Sequence, residues 1–308
     1  MPRPDGAGLR AESVWRLRFR RFRGNRTAIA AAGVVAILAV LSLCASLIEW
    51  VNDIDAFRAD LFTRFEPPSA KHWLGTDNAG RDVLARLMYG GQMSLRVGIV
   101  ATVFATSIGT LIGLVAGYYR GILDSILMRL ADALLALPVL PLLIVVAAID
   151  FEKLGLPAGF GRSSDASFYR IVVIIGLVQW TTVARLVRAS TLALLNREFV
   201  LAARAQGASA AHTMRVHILP NVVSPIIIAM TLEVGQVILF ESVLSFLGLG
   251  ILPPLPSWGN MLTNAQELIT QAPTLAFYPG FLIFVTVIAV NFLGDGLQEA
   301  FDPRSDEG

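Results

Sequence analysis

Long apolar runs alternate with shorter polar segments along the chain. The first run, Thr27 to Ile48, has about 22 residues, which is roughly 33 Å as a helix and enough to cross a hydrocarbon core of about 30 Å. It is too long for a signal-peptide core, so we interpret it as a retained span. The pattern predicts an all-α polytopic membrane protein with six transmembrane helices. The other five runs are Ser94–Tyr118, Leu130–Ile149, Ile171–Leu192, Pro220–Leu249 and Ala276–Leu293.

The composition favours the same class. The 308 residues are 55% hydrophobic and 16% charged, with a mean hydropathy of +0.64, which is rare in a soluble domain of this size. The net charge of +2 gives no indication of nucleic-acid binding. The single cysteine, Cys44, excludes an internal disulfide and a cysteine metal site.

The distribution of arginines predicts the orientation. The first 26 residues contain eight arginines against Asp5 and Glu12, which is typical of a cytoplasmic flank. The loop between the fourth and fifth runs is also rich in arginine, so both termini are predicted to be cytoplasmic. Val83 to Met88 has the apolar spacing of a short amphipathic helix. The predicted organisation is a cytoplasmic segment 1–26, a first span 27–48, an external segment 49–92 holding the amphipathic helix, a five-helix core 93–295 with a cytoplasmic loop 196–218 and an external loop 250–275, and a cytoplasmic tail 296–308.

Small residues and prolines inside the runs predict local features. Gly109, Gly113 and Gly117 follow one another at four-residue spacing, which favours close helix packing over a direct role in binding cargo. Pro138 and Pro141 predict a kink in the third span.

Charged residues near the ends of the runs predict ion pairs. Arg129 lies three residues before Asp132, a spacing that allows a pair on one helix face. For Arg81 and Asp82 a local charge pair is favoured over a buried functional role.

Polar residues in the fifth run are candidates for a transport pathway. Glu241, Glu233 and Gln236 fall at membrane depth, where ionisable groups normally face a bundle interior or water. Glu241 is the leading candidate for a residue that lines or gates the pathway. An interhelical hydrogen bond without contact to cargo is an equally good interpretation. In the external loop that follows, Trp258 and neighbouring prolines predict either a braced re-entrant loop or a rigid turn.

Several kinds of catalytic site are missing from the sequence. It contains no GxxxxGK[ST] phosphate loop, no HExxH and no GxSxG. His72, His212 and His217 do not cluster with other ligands at metal-binding spacing. An integral-membrane enzyme is therefore not supported, and uphill transport would need a partner or an ion gradient.

The polar segment from Arg197 to Pro220 interrupts the apolar pattern. Good helix formers from Glu198 to Gln206 predict a helix, and Gly207 follows where a C-cap belongs. Ser209 is placed to cap a second helix, which is predicted to end near Leu219 and Pro220. An ordinary solvated loop is the alternative on local features alone.

The same segment, REFVLAARAQGASAAHTMRVHILP, resembles the cytoplasmic EAA loop of permease subunits in binding-protein-dependent ABC importers. That pattern is E-A-A, three residues, G, nine residues, I, any residue, L-P. The chain departs from it at Leu201, where the pattern has Glu, and at His217, where it has Ile. Glu198 lies one helical turn earlier, and this form resembles the oligopeptide and dipeptide subfamily. The positions that match in register are Ala202, Ala203, Gly207, Leu219 and Pro220.

Four further blocks are similar to the second, C-type permease subunit of peptide importers. The resemblance covers roughly residues 70 to 304. The blocks are LGTDNAGRDVLARLMYG, LSFLGLG, PSWGNML and NFLGDGLQEAFDPR.

The resemblance implies a type I ABC importer permease fold in the bacterial inner membrane. The chain would form half of a pathway for di- or oligopeptides, in a heterodimer with a second permease subunit. Two ATPase subunits would bind ATP and Mg²⁺, an extracytoplasmic binding protein would deliver the peptide, and this chain would bind no cofactor and catalyse no reaction. Trp258, Gly259 and Asn260 then become candidates for contact with the binding protein. The residues expected to couple to the ATPase are Glu198, Leu201, Ala202, Ala203, Gly207, His217, Leu219 and Pro220.

The cargo stays open at this point. Permeases for nickel and other small solutes resemble those for peptides. From a different class, a gradient-driven secondary transporter or channel would need no ATPase, although the inverted repeat often found in such proteins is not evident.

Overall fold

The computed structural model describes residues 14–149, 164–263 and 270–301. These ranges are helical and contain no strand, apart from an isolated bridge between Thr76 and Asp82. The all-α prediction is confirmed. The helices are α1 (Val14–Gly24), α2 (Arg26–Leu43), α3 (Ala45–Asn52), α4 (Val83–Tyr119), α5 (Gly121–Leu135), α6 (Val139–Ala147), α7 (Ser164–Leu194), α8 (Glu198–Ala205), α9 (Ala210–His212), α10 (Leu219–Phe246), α11 (Trp258–Met261) and α12 (Thr274–Phe301).

Five helical segments are long and apolar enough to cross a membrane, and they contain α2, α4, α7, α10 and α12. A sixth span is formed if α5 and α6, which are bent by 92°, are counted as one broken span. The bend falls at Pro138, as predicted, because proline disfavours helical geometry in the residue before it. Pro141 lies in the first turn of α6, where its missing N–H has no intrahelical acceptor. The predicted start of the third run at Leu130 is wrong, since α5 already begins at Gly121.

Helix α4 is a single helix of 37 residues. The sequence predicted a separate amphipathic helix around Val83 and a span from Ser94, and this division is wrong. Val83 and Leu87 are buried in the bundle, which is one of the two placements, membrane or bundle, that their apolar spacing allows. The helix continues through Gly90 and Gly91, and the absence of side chains at these two positions leaves room for the ring of Trp258 from the external loop.

Close packing joins α4 to α7 along the predicted glycine face. A Cβ added at Gly109 would lie 2.5 Å from the carbonyl oxygen of Trp180, and one at Gly113 would lie 2.6 Å from that of Ala184. A Cβ added at Gly117 would lie 2.7 Å from the Cβ of Thr191. The packing interpretation of these glycines is confirmed, because any side chain larger than hydrogen would separate the helices.

Two ion pairs connect α5 to α7. Arg188 donates two hydrogen bonds to the carboxylate of Asp124, at 2.5 and 2.6 Å. Arg185 lies 3.6 Å from Asp132, and both side chains are more than half exposed. The predicted pair of Asp132 with Arg129 is therefore wrong, since Asp132 faces the neighbouring helix.

The external segment folds onto the start of α4. The carboxylate of Asp82 accepts a hydrogen bond from the backbone N–H of Ala85 at 2.8 Å and lies 3.0 Å from Nδ1 of His72. Arg81 donates from Nε to Asp77 at 2.8 Å. Arg81 therefore forms a local charge pair, with Asp77, whereas Asp82 forms a hydrogen bond with His72.

The two ends of the described chain meet on one side of the bundle. Asn25, which caps α2, donates a hydrogen bond to Glu299 at 2.6 Å. A Cβ added at Gly296 would lie 2.2 Å from that of Ala28. Six spans separate these contacts when α5 and α6 are counted as one broken span, and the arginines of α1 mark their side as cytoplasmic. Helix α12 extends to Phe301, so the predicted boundary of the tail at residue 296 falls inside a helix.

Candidate functional site

Helix α8 ends in a tight elbow at Gly207. The N–H of Gly207 bonds to the carbonyl of Arg204, and the N–H of Ala208 bonds to that of Ala203, each at 3.0 Å. These two bonds define a Schellman motif, which requires a left-handed residue at the first position after the cap. Gly207 has φ of +84°, a conformation that glycine adopts at little cost. The predicted helix and its glycine cap are thus present.

Ser209 begins the second helix of the pair. Its Oγ accepts a hydrogen bond from the N–H of His212 at 3.3 Å, and its carbonyl accepts one from Thr213 at 2.9 Å. The hydroxyl therefore satisfies a donor that a helix N-terminus leaves free. The predicted serine cap is present, and α8 and α9 form a helix, elbow and helix.

The second helix does not end at Pro220. Helix α9 runs directly into a π-helix, Thr213–Ile218, and on into α10. A proline at position 220 cannot donate its own hydrogen bond and crowds the carbonyl four residues earlier. A wider π-turn before it relieves that crowding, and π-turns occur often at functional sites. The predicted end near Leu219 is wrong, and the helix pair is continuous with the fifth span.

A cleft of about 630 Å³ opens to solvent between the arms of this helix pair. Phe199, Leu201 and Val216 expose 44%, 49% and 48% of their surface in this region. Apolar side chains exposed together on a cytoplasmic face are typical of a protein contact surface. The cleft is lined by Phe199, Ala202, Ala203, Gln206, Gly207, Ala208, Ser209, His212 and His217.

The same helix pair is anchored in the bundle by its opposite face. Val200 of α8 and Ile218 of the π-helix are fully buried in one apolar cluster. This cluster also contains Leu114 of α4 and Val183 of α7. The guanidinium of Arg204 lies 5.9 Å from the ring centroid of Tyr118, at the end of α4. The cluster also contains Val222 of α10, so one close-packed apolar cluster joins α8 to the three spans α4, α7 and α10. No sequence pattern indicated the contact between Arg204 and Tyr118.

The predicted coupling residues fall into two groups. Glu198, Leu201, Ala202, Gly207 and Pro220 are exposed, whereas Ala203, His217 and Leu219 are half-buried.

His217 and Leu201 are the departures from the EAA pattern. The ring of His217 lies 5.7 Å from that of His212 and 6.5 Å from that of Phe199, measured between centroids. The departure at His217 therefore places an aromatic ring in the wall of the cleft. Within the three described ranges, no group of three or more His, Cys, Asp or Glu is arranged to hold a metal.

Glu241 lies in the centre of a buried hydrogen-bond network. Its side chain is fully buried and accepts hydrogen bonds from the hydroxyls of Ser94 at 2.9 Å and Ser245 at 2.7 Å. The hydroxyl of Ser94 also accepts a hydrogen bond from the backbone N–H of Trp258 at 3.2 Å, and that of Ser245 accepts one from the backbone N–H of Ile251 at 3.0 Å. Glu241 thus ties α4 and α10 to the external loop. This geometry supports the interhelical interpretation, and in this conformation the carboxylate is closed off from cargo.

The three candidate pathway residues of α10 do not face one common site. Glu233 is buried against α4, where the hydroxyl of Thr106 lies 3.4 Å from its carboxylate. Gln236 is exposed on another face of α10. Gln236 is therefore the one of the three whose side chain is accessible in the isolated subunit.

The external loop returns into the bundle through Trp258. Only 1% of this side chain is exposed, and its Nε1–H donates to the carbonyl of Leu87 at 2.9 Å. Its ring fills the space left by Gly90 and Gly91, since a Cβ at either would lie about 3 Å from it. The re-entrant alternative predicted for this loop fits these contacts.

Gly259 and Asn260 complete the attachment of the loop. A Cβ added at Gly259 would lie 2.5 Å from the Cα of Ser242. The side-chain amide of Asn260 donates to the carbonyls of Ile251 and Leu255, at 3.1 and 2.8 Å. Trp258 and Gly259 are buried and Asn260 is half-buried in this structure; the contact with a binding protein stays a prediction for all three. Residues 264–269 of the predicted external loop lie outside the described ranges.

Family models match most of the chain. Residues 109–307, which include the helix pair, match the family described as "Binding-protein-dependent transport system inner membrane component". The chain belongs to this family. Residues 13–68 of the permease match a second model, "N-terminal TM domain of oligopeptide transport permease C". Family membership makes the permease a membrane subunit of an ABC importer, and it does not favour the gradient-driven alternative.

Curated relatives align along nearly all of the permease. The dipeptide transport system permease protein DppC of Alkalihalophilus pseudofirmus is 36% identical, covering 96% of this chain and 91% of the relative. A putative peptide permease protein of Brucella suis biovar 1 is 40% identical, with coverage of 98% and 94%. The glutathione transport system permease protein GsiD of Pectobacterium atrosepticum is 38% identical, with coverage of 96% and 94%. A solved amino acid ABC transporter covers 68% of this chain at 18% identity, with a TM-score of 0.47.

Proposed function

We propose that this permease carries short peptides across the inner membrane as one half of a heterodimeric pathway. Relatives that align with more than nine-tenths of the chain carry names that refer to dipeptides, peptides and glutathione. Glutathione is itself a short peptide, so these names share one class of cargo. An extracytoplasmic binding protein would deliver it, as the family description indicates.

The helix pair α8–α9 would dock into a separate ATPase subunit that binds ATP and Mg²⁺. The observation that supports this proposal most strongly is that one surface of the pair exposes apolar side chains to solvent while the opposite surface is packed into the bundle. Leu201 exposes half of its surface, whereas Val200 and Ile218 are fully buried. A helix pair held in this way would transmit the closure of an ATPase dimer to α4, α7 and α10. Two permease subunits would present two such pairs to two ATPase subunits.

Gln236 supports the proposed partnership with a second permease subunit. It is exposed on α10, and a polar side chain at membrane depth normally faces protein or water rather than lipid. This face of α10 would then meet the second subunit or line the pathway between the two.

Uptake by the reconstituted importer tests the proposal. The chain, a second permease subunit and the ATPase subunits are placed together in proteoliposomes, with the binding protein and a labelled dipeptide outside. We expect uptake that requires ATP and this chain. Uptake by the chain alone without ATP would contradict the importer assignment, and uptake of nickel ions in place of the dipeptide would contradict the peptide cargo.

A further inference from the structure

A cavity of about 270 Å³ lies at the external side, between the start of α4 and the re-entrant loop. We call it the outer pocket. It is separate from the cytoplasmic helix pair, and none of the coupling residues borders it. Its lining combines charged groups from the external segment with apolar and amide groups from the loop. The charged members are Asp77, Arg81 and Arg86.

The charges of the outer pocket do not balance. Asp77 accepts hydrogen bonds from the backbone N–H groups of Ala79 and Arg81, at 2.8 and 3.0 Å, and from Nε of Arg81 at 2.8 Å. Arg86 lies farther away, with its Nε 3.5 Å from the same carboxylate. Asp77 and Arg81 therefore form one neutral pair, and the guanidinium of Arg86 adds an excess positive charge.

Arg86 is buried, with 5% of its surface exposed. Among the described residues, the other polar partner of its guanidinium is the backbone carbonyl of Ala56, which lies 3.4 Å from Nη1. Both contacts are at the long limit for a hydrogen bond. A buried cation with such weak partners is costly unless an anion completes its coordination.

The rest of the lining suits the body of a small organic anion. Val83, Ile251 and Leu252 give apolar surface, and Asn260 and Thr263 add polar groups. Small-molecule pockets typically combine an apolar wall with a few polar groups that fix orientation. A guanidinium recognises carboxylates through paired N–H donors.

We propose that the outer pocket binds the terminal carboxylate of a short peptide, with Arg86 as the main anion contact and Arg81 beside it. This inference rests on the proposed peptide function and adds a site within it. The pocket is large enough for the last residue of a peptide, and it faces the side from which a binding protein delivers cargo.

The test measures binding without transport. The purified permease–ATPase complex in nanodiscs, without ATP or binding protein, is titrated with labelled alanyl-alanine and with alanyl-alaninamide, which lacks the carboxylate. We expect the free acid to bind roughly tenfold or more tightly than the amide, as for a charge-assisted contact. Equal binding of the two ligands would overturn the proposal and leave ATP-driven uptake, which is measured separately, as the test of the importer.

Charge variants separate recognition from damage to the fold. Arg86→Gln and the more exposed Arg81→Gln are expected to reduce the preference for the acid. Asp77→Asn keeps the side-chain shape but removes the negative charge, so the preference should be retained or increase. A similar loss of preference in Asp77→Asn and Arg81→Gln, with all variants eluting as intact complexes, would contradict the proposal, because only structural damage affects both in the same direction.

Discussion

A Gly207→Val variant is expected to insert into the membrane at normal abundance and to lose most of its transport activity. Gly207 has φ of +84° and ends α8, a conformation that costs an L-residue roughly 1–2 kcal/mol, with β-branched residues at the upper end. That energy reduces the population of the elbow by roughly 5- to 30-fold. No atom lies within 4 Å of a Cβ added there, so the effect comes from the backbone alone. Peptide uptake and co-purification of the ATPase measure the loss.

Gly121→Val is the matched control. Gly121 also has a positive φ, of +65°, and its Cβ would also meet no atom within 4 Å. It begins α5, outside the helix pair. We expect this variant to keep most of its uptake. If Gly207→Val transports as well as Gly121→Val does, the elbow has no part in coupling.

A Gly113→Leu variant is expected to disrupt the bundle itself. Its Cβ would lie 2.6 Å from the carbonyl oxygen of Ala184 and 2.8 Å from the Cβ of Val187. Overpacking typically costs about 1–3 kcal/mol and occasionally more, and here the obstacle is backbone that cannot rotate away. We therefore expect aggregation, or a strongly lowered melting temperature in detergent. Size-exclusion chromatography and thermal unfolding measure this loss.

Gly33→Leu provides the comparison for that experiment. Gly33 is exposed on α2, and a Cβ there meets nothing within 4 Å. The variant adds the same apolar volume at a lipid-facing position and should elute and melt as the unchanged protein does. Equal stability of Gly113→Leu and Gly33→Leu would show that the contact between α4 and α7 does not require glycine.

Local chemistry predicted the features that depend on residues close in sequence. Gly207 predicted the end of α8, and Ser209 predicted the start of α9. Both predictions are local, because a positive φ and a capping hydroxyl each act within a few residues. The four-residue spacing of Gly109 and Gly113 indicated close packing in the same way. The apolar runs predicted the spans because a membrane sets their length.

Features that depend on tertiary contacts were missed. The partner of Asp132 is Arg185 on another helix, not Arg129 on its own helix. Helix α4 continues through Gly90 and Gly91, and Trp258, which is distant in sequence, packs against both. No local pattern reports either contact. The resemblance to importer permeases indicated the segment that we propose couples to an ATPase, although it did not predict that a π-helix joins the segment to α10.

The role of Glu241 changed most between sequence and structure. A carboxylate at membrane depth suggested a gate or an interhelical bond with equal force. Its hydrogen bonds to Ser94 and Ser245 fix the loop that carries Trp258. Glu241 is therefore part of the buried network that holds α4, α10 and the external loop together. The exposed Gln236 is the better candidate for the proposed pathway.

Cross-linking from the cleft tests whether α8 and α9 dock into an ATPase subunit. Cys44 is the single cysteine, so Cys44→Ser gives a cysteine-free background. In that background Ala202→Cys is placed in the cleft wall, and Gly24→Cys serves as an exposed control on the same side of the membrane. We expect a short thiol-to-amine cross-linker to join the thiol of Ala202→Cys to an amine of the ATPase subunit in the assembled importer and to leave Gly24→Cys unlinked. No cross-link at Ala202→Cys in an importer that transports peptide would contradict this docking.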